Sequence, residues 1–361
     1  MHRSMFSLQQ YVRRTGDLIF PPPFVVEDMD MLVFVLKAKN SALLELIDRE
    51  LNAPWQQAFA LRGLLHNYQP VGDWIVVVVS EVKNLYPKQF ASRRQAVVKP
   101  GDPAAADDFE DITAEQRELL VMVPLDDYGA DPLGNAALQR STQLWYVPFA
   151  LNDLPPAVLA GREIFGYPKL LASFRTDPDA AERHEHPLIG SAVAGWEDLS
   201  IKTYGPVERK PPDPTKSKYY LGPVEVVRLE AKRGVEAHPP PTGADKIVED
   251  AATRFGKSLE LLFLRQYLDP QYDGLASYQA VVSGSITASD GTGGDLPDLK
   301  PVTEGPRYRF SFPSHGPEAL SIGHVFGLEH DADGLVTPCA TFALDDRKLV
   351  VTRGEIRWDK P

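Results

Sequence analysis

The chain has 361 residues, 43% of them hydrophobic, which is enough for a large buried core in one or two domains. Its formal net charge of −12 gives a field that repels phosphate backbones, so nucleic acid is not an expected partner, and attraction for an anionic small molecule has to be local to a pocket. The single cysteine, Cys339, excludes an internal disulfide and a cysteine-based metal site.

The segment Met1–Gly16 has no continuous apolar stretch and reads poorly as a signal peptide. Met31–Leu36 is the first predicted strand. Ser41–Leu51 is the first predicted helix, capped by Ser41, with Leu43, Leu44 and Ile47 on one face. Trp74–Ser80 contains the longest strongly apolar run; its valines favour a buried strand, and the run is far too short to span a bilayer. These absences make the cytoplasm the expected location, with no membrane partner.

Further strands are predicted at Leu119–Val123, Leu144–Leu151, Val224–Leu229, Ser277–Thr287 and Lys348–Trp358. Short helices are predicted at Pro155–Gly161, ending at its glycine, and at Lys246–Phe255. The 32 prolines and 26 glycines punctuate many short segments, as in a mainly β (α+β) protein with long loops. Lys99–Asp111, Pro206–Ser217, His238–Gly243 and Ser289–Asp298 read as surface loops.

The chemistry concentrates in Gly161-Arg162-Glu163-Ile164-Phe165-Gly166-Tyr167-Pro168-Lys169-Leu170-Leu171. Lys169 sits among large apolar residues, where an ammonium loses hydration and the free amine is favoured. A free amine attacks a ketone to form an imine, and the protonated imine is an electron sink for breaking a neighbouring C–C bond. The plainer alternative is a lysine that lays its stem on apolar surface and reaches out to water. His184 and His186 alternate around Glu185 but lie in a polar run that reads as a solvated loop, and no other metal motif accompanies them. Gly291-Thr292-Gly293-Gly294 is followed by no lysine and no strand-to-helix pattern, so it reads as a loop and not a phosphate cradle. No cofactor and no metal are expected.

The lysine segment resembles the active-site signature of the acetoacetate decarboxylase superfamily, close to Gly-Arg-Glu-x-x-Gly-Tyr-Pro-Lys-Lys-Leu. Gly161, Arg162, Glu163, Gly166, Tyr167, Pro168 and Lys169 match it. Phe20–Phe24 with Met31–Leu43, Arg117–Pro124, Gln143–Asp153, Leu264–Tyr267 with Tyr278–Val282, and Leu349–Asp359 resemble other parts of the family. The resemblance implies an acetoacetate decarboxylase-like antiparallel β-barrel or stacked sheets with a few short helices. It implies a single domain over residues 1–361, with insertions near 52–72, 86–112, 206–217, 236–245 and 289–300, a tolerable cost for surface loops.

It further implies an imine on Lys169 and a small keto acid as substrate. Decarboxylation of a β-keto acid such as acetoacetate is one reading, a pyruvate-type aldolase-dehydratase another, and a non-catalytic binding barrel a third. Glu118 matches the family's strand glutamate; it is either the proton carrier or an exposed acid on a short helix capped at Thr113. Glu81 matches a second glutamate or is a plain strand-end charge. Tyr167, Phe149 and Trp145 are candidate pocket residues. Strand alternation puts Trp145 and Phe149 on one face and Tyr146 on the other. The family assembles as homo-oligomers, and the same is expected here. Three positions depart from the family: Leu170 replaces its second lysine, Met29 falls near its carboxylate-binding arginine, with Lys37 the nearest basic residue on that strand, and Gln116 replaces a tyrosine.

Overall fold

The computed structural model describes residues 23–54, 66–87, 114–129, 139–175, 199–208, 219–232, 244–255, 259–268, 276–288, 300–302, 307–313, 321–351 and 355–360. The run containing His184 and His186, the Gly291–Gly294 stretch and most of the five expected insertions lie outside them. The fold is mostly β, with a large mixed sheet and few short helices.

Three long strands form its centre: β1 (Phe24–Lys37), β3 (Trp74–Pro87) and β4 (Ala114–Gly129), with β1 against β3 and β3 against β4, both antiparallel. A short β2 (His66–Pro70), inside an expected insertion, pairs with β4 beyond the end of β3, on the edge that β3 uses. The valine run is continuous because both faces of β3 are buried. Val77 and Val79 join a core with Leu32, Phe34, Leu119 and Val121, while Val76 and Val78 join a second core with Val33, Val35, Leu120 and Met122.

Helix α1 (Asn40–Ile47) runs on as a turn of π-helix to Asn52 and buries Leu43, Leu46 and Ile47. It starts one residue earlier than the sequence suggests. Lys39 is the cap, without a side-chain hydrogen bond, so Ser41 lies inside the helix, and Asn40 Nδ2 donates to the Gly72 carbonyl at 2.9 Å.

Strand β5 (Gln139–Asn152) pairs along one edge with β4. Its other edge is divided. Trp145 and Tyr146 pair in parallel with β9 (Leu259–Leu268), and Ala150–Asn152 pair in parallel with β6 (Lys169–Arg175). The sheet is therefore mixed and not purely antiparallel. The crossover from β5 to β6 is made by α2 (Pro155–Ala160), since a parallel neighbour cannot be reached by a hairpin.

Between the two parallel contacts β5 carries an extra residue: Val121 faces Phe149, but Val123 faces Tyr146. This bulge, containing Pro148, which has no N–H for the ladder, reverses the alternation. Tyr146 and Phe149 thus share the first of these cores, the outer one, and Trp145 lies with the second, the inner one, contrary to simple strand counting.

Beyond β6 the sheet continues through β7 (Leu199–Glu208), β8 (Tyr219–Lys232) and β12 (Arg307–Ser311). On the other side β9 leads to β10 (Ala276–Ala288) and β13 (Ala340–Val351), which returns to β1. The single predicted strand Lys348–Trp358 is split between β13 and β14 (Glu355–Lys360), and β11 (Lys300–Pro301) pairs with β13. Helix α3 (Ala244–Phe255) buries Ile247 and Ala251 in the inner core; α4 (Ile322–Val325) is capped by Ser321, whose side chain accepts from His324 N–H. No helix among the described residues is long and apolar enough to cross a membrane.

Candidate active site

Lys169 is the first residue of β6 and is buried. The chain reaches it through an unusual helix end. Instead of stopping at Gly161, α2 widens into a π-helical turn over Gly161–Phe165 and stops at Gly166, whose φ of 76° lies in the left-handed region. Each glycine of the signature has its own steric reason. A Cβ on Gly161 would stand 2.8 Å from Lys169 Cδ; one on Gly166 would stand 2.3 Å from Arg265 Cβ on β9. The first clears the path of the lysine side chain, and the second lets the loop lie against β9 where the β5 edge divides.

The lysine nitrogen meets a carboxylate. Lys169 Nζ lies 2.5 Å from Glu118 Oε1, and both side chains are largely buried. Glu118 is in strand β4, so the exposed-helix alternative falls away: the segment after Thr113 pairs with β3 and β5, which leaves no helix for a cap to start. An apolar pocket alone does not describe the setting of Lys169, since the ammonium is held by an ion pair as well. Below the nitrogen, at 5.1 Å from its centroid, is the Tyr167 ring, which packs on Phe165 and, at 3.8 Å between centroids, on Phe263 of β9. Burial, reinforced by the Glu118 charge, pushes the Tyr167 phenol well above its usual range. Both effects favour the neutral hydroxyl over the phenolate.

A third strand supplies the group that holds the carboxylate. Asn152, at the end of β5, is fully buried. Its Nδ2 donates to Gln116 Oε1 at 3.1 Å and to Glu118 Oε1 at 3.3 Å, while its Oδ1 accepts from Leu154 N–H at 2.8 Å. Gln116, Glu118, Asn152 and Lys169 therefore converge where β4, β5 and β6 run side by side. Asp153 turns the other way and accepts from Arg117 N–H at 2.7 Å; burial pushes its carboxyl up, and that hydrogen bond pulls it back.

The other candidates lie elsewhere. Ser80 faces Glu118 across β3 and β4, whereas Glu81 faces Arg117 and takes its Nε at 3.0 Å, on the opposite face of the sheet from Glu118. Phe149 packs edge-on against Phe326 in the outer core. Trp145 is on the inner side but is occupied by a T-shaped contact with Trp74, 5.9 Å between centroids. Met29, near the family's arginine position, is buried in the inner core, and Lys37 pairs with Glu329 at 3.5 Å. Leu170 is 42% exposed and adds no cover to the lysine. Among the described residues no group of three His, Cys, Asp or Glu side chains could hold a metal ion.

Asn152 and Phe263 escaped sequence reading. Asn152 ends an apolar run and Phe263 lies within one, and nothing local indicates that either lies beside Lys169.

Solved structures with a similar fold include an acetoacetate decarboxylase from Legionella pneumophila subsp. pneumophila. It is 9% identical, with a TM-score of 0.50, over 98% of this chain and 94% of that one. The chain has an acetoacetate decarboxylase-like fold. An acetoacetate decarboxylase-like enzyme from Sphingomonas wittichii RW1 is 12% identical over 96% of this chain and 98% of that one, with a TM-score of 0.44. The enduracididine biosynthesis enzyme MppR, complexed with pyruvate, is 12% identical over 95% and 93%, also at 0.44. No protein-family model and no curated protein sequence matches the chain.

Proposed function

We propose that the protein is an imine-forming lyase for a small keto acid, with Lys169 as the nucleophile and Glu118 as the proton carrier. The buried contact between Lys169 Nζ and Glu118 Oε1 carries this reading. Burial penalises both ions, and the contact gives the ammonium a carboxylate within reach that can take its proton during the cycle.

The amine lone pair then attacks the ketone carbon, and the C=O π pair moves to oxygen. That oxygen takes one proton from the attacking nitrogen and one from Glu118 and leaves as water as the nitrogen lone pair forms the C=N bond, giving the protonated imine. In a β-keto acid the bond to the carboxylate now breaks. Its electron pair flows into the C=N⁺ bond, carbon dioxide departs, and a neutral enamine remains. Glu118, which has given up its proton, takes one from water as the net uptake of one proton requires; it then protonates the enamine carbon, and addition of water to the resulting imine releases the ketone and restores Lys169. The Tyr167 ring face beneath the nitrogen supports the cationic states of the cycle.

The same reading includes closure of the strand circuit β1–β3–β4–β5–β9–β10–β13 into a barrel around the inner core, supported by the pairing of β5 with both β4 and β9. Slow amide exchange at Trp145 and Tyr146, comparable to Val77, is expected; fast exchange there would speak for an open sheet. It also includes a homo-oligomer, the usual closed form of such enzymes.

The test supplies acetoacetate to the protein and follows carbon dioxide, then pyruvate with an aldehyde and follows condensation. Lys169→Arg should lose whichever activity the native chain has, because a guanidinium stays protonated. If no keto acid is consumed and none modifies Lys169, the chain is a binding protein.

A further inference from the structure

Gln116 is a polar side chain of the cluster with an amide nitrogen still to be paired. It is 7% exposed, and its Oε1 is taken by Asn152. Its Nε2 finds no acceptor among the described residues. The orientation of this amide follows from the backbone. Leu154 N–H can only donate, which makes the Asn152 atom facing it Oδ1. Asn152 then presents Nδ2 to Gln116, and Gln116 must answer with its oxygen. The Gln116 amide nitrogen is thereby turned away from Asn152 with two N–H donors to offer. A buried donor without a partner is unfavourable in an empty site, and a bound acceptor removes that penalty.

We infer that Gln116 Nε2 binds the carboxylate of the keto acid attached to Lys169, and that Asn152 is the positioning residue that aims it. This rests on the imine reading above. Once the imine has formed, the ketone oxygen has left as water, so the carboxylate is the only strong acceptor a simple keto acid retains. Gln116 is two residues before Glu118 on β4 and therefore on the same face, adjacent to the carboxylate that touches Lys169. A neutral amide also suits the site electrically, since Glu118 already balances the lysine. The assignment explains how a keto acid is gripped where Met29, and no arginine, occupies the inner core.

The experiment is borohydride trapping on Lys169, comparing acetoacetate and pyruvate with acetone, which forms the imine but has no carboxylate. The readout is the ratio of trapping efficiency for keto acid to that for acetone. Loss of a charge-assisted hydrogen bond should lower this ratio about tenfold or more in Gln116→Leu. Gln116→Glu preserves size and the acceptor for Asn152 but sets an oxygen against the carboxylate, so its ratio should fall at least as far even if the leucine variant folds poorly. Asn152→Asp, which cannot donate to Gln116, should lower the ratio as well. An unchanged ratio in both Gln116 variants would overturn this assignment and leave the imine reading intact. Failure of all three probes to modify Lys169 in the native protein would overturn the imine reading, and this assignment with it.

Discussion

Lys169 and Glu118 touch although their strands do not pair: β4 and β6 lie on opposite edges of β5, and the two side chains meet across it at 2.5 Å. The contact depends on β5 dividing its outer edge between β9 and β6, which in turn depends on the bulge at Pro148 and on the turn that ends at Gly166.

Removing one partner should show the strength of this contact. Lys169→Met leaves Glu118 buried with only Asn152 as donor and should cost about 3 kcal/mol, measured by denaturant unfolding. Lys169→Met with Glu118→Leu should recover most of that loss, because no charge is then stranded. Equal losses in the single and double variants would mean the pair contributes only packing.

Glu118→Gln should reduce turnover by roughly 10²–10⁴-fold, the usual range for an acid–base group. Its amide oxygen still accepts from Lys169, so imine trapping should survive better than turnover, and it should unfold less readily than Glu118→Leu. Full turnover in a folded Glu118→Gln protein would assign proton transfer to another group.

The two glycines of the loop should fail differently. Gly161→Ala sets a methyl 2.8 Å from Lys169 Cδ, so the variant should fold while its trapping rate drops. Gly166→Ala forces a Cβ at positive φ into the Arg265 backbone and side chain, and should cost several kcal/mol in thermal or denaturant unfolding, roughly the upper range for a strained site. A silent Gly161→Ala would show that the lysine path has slack.

Much of the fold was legible in the sequence because its strands are long and apolar. The runs Met31–Leu36, Trp74–Ser80 and Leu119–Val123 mark the cores of β1, β3 and β4, although each strand extends well beyond its apolar centre. β6 and β7 were missed, since Lys169–Arg175 and Leu199–Glu208 mix polar and apolar residues without a clean period. The lysine was legible from its signature. Its carboxylate was legible only through resemblance, because Glu118 precedes Lys169 by a stretch that includes a whole strand and a helix. The facing of Phe149 was misjudged because one bulged residue reverses every later side chain, and a proline in an apolar run does not announce which way the chain will bend.

Tyr167 offers a check by titration. Burial first, and the Glu118 charge second, hold its phenol above the ordinary value, so it should contribute no phenolate where a free tyrosine titrates, at about pH 10. Ultraviolet difference titrations of native and Tyr167→Phe protein should coincide below that pH. A phenolate missing only from the variant near pH 10 would show that the ring is open to water and not sealed against Phe263.

The most direct measurement is the site of covalent capture. Native protein is incubated with acetoacetate or pyruvate and borohydride, digested, and its peptides are mapped by mass. The expected result is a reduced adduct on Lys169 that is absent in Lys169→Arg. Adducts spread over exposed lysines, with Lys169 unmodified, would contradict the central claim.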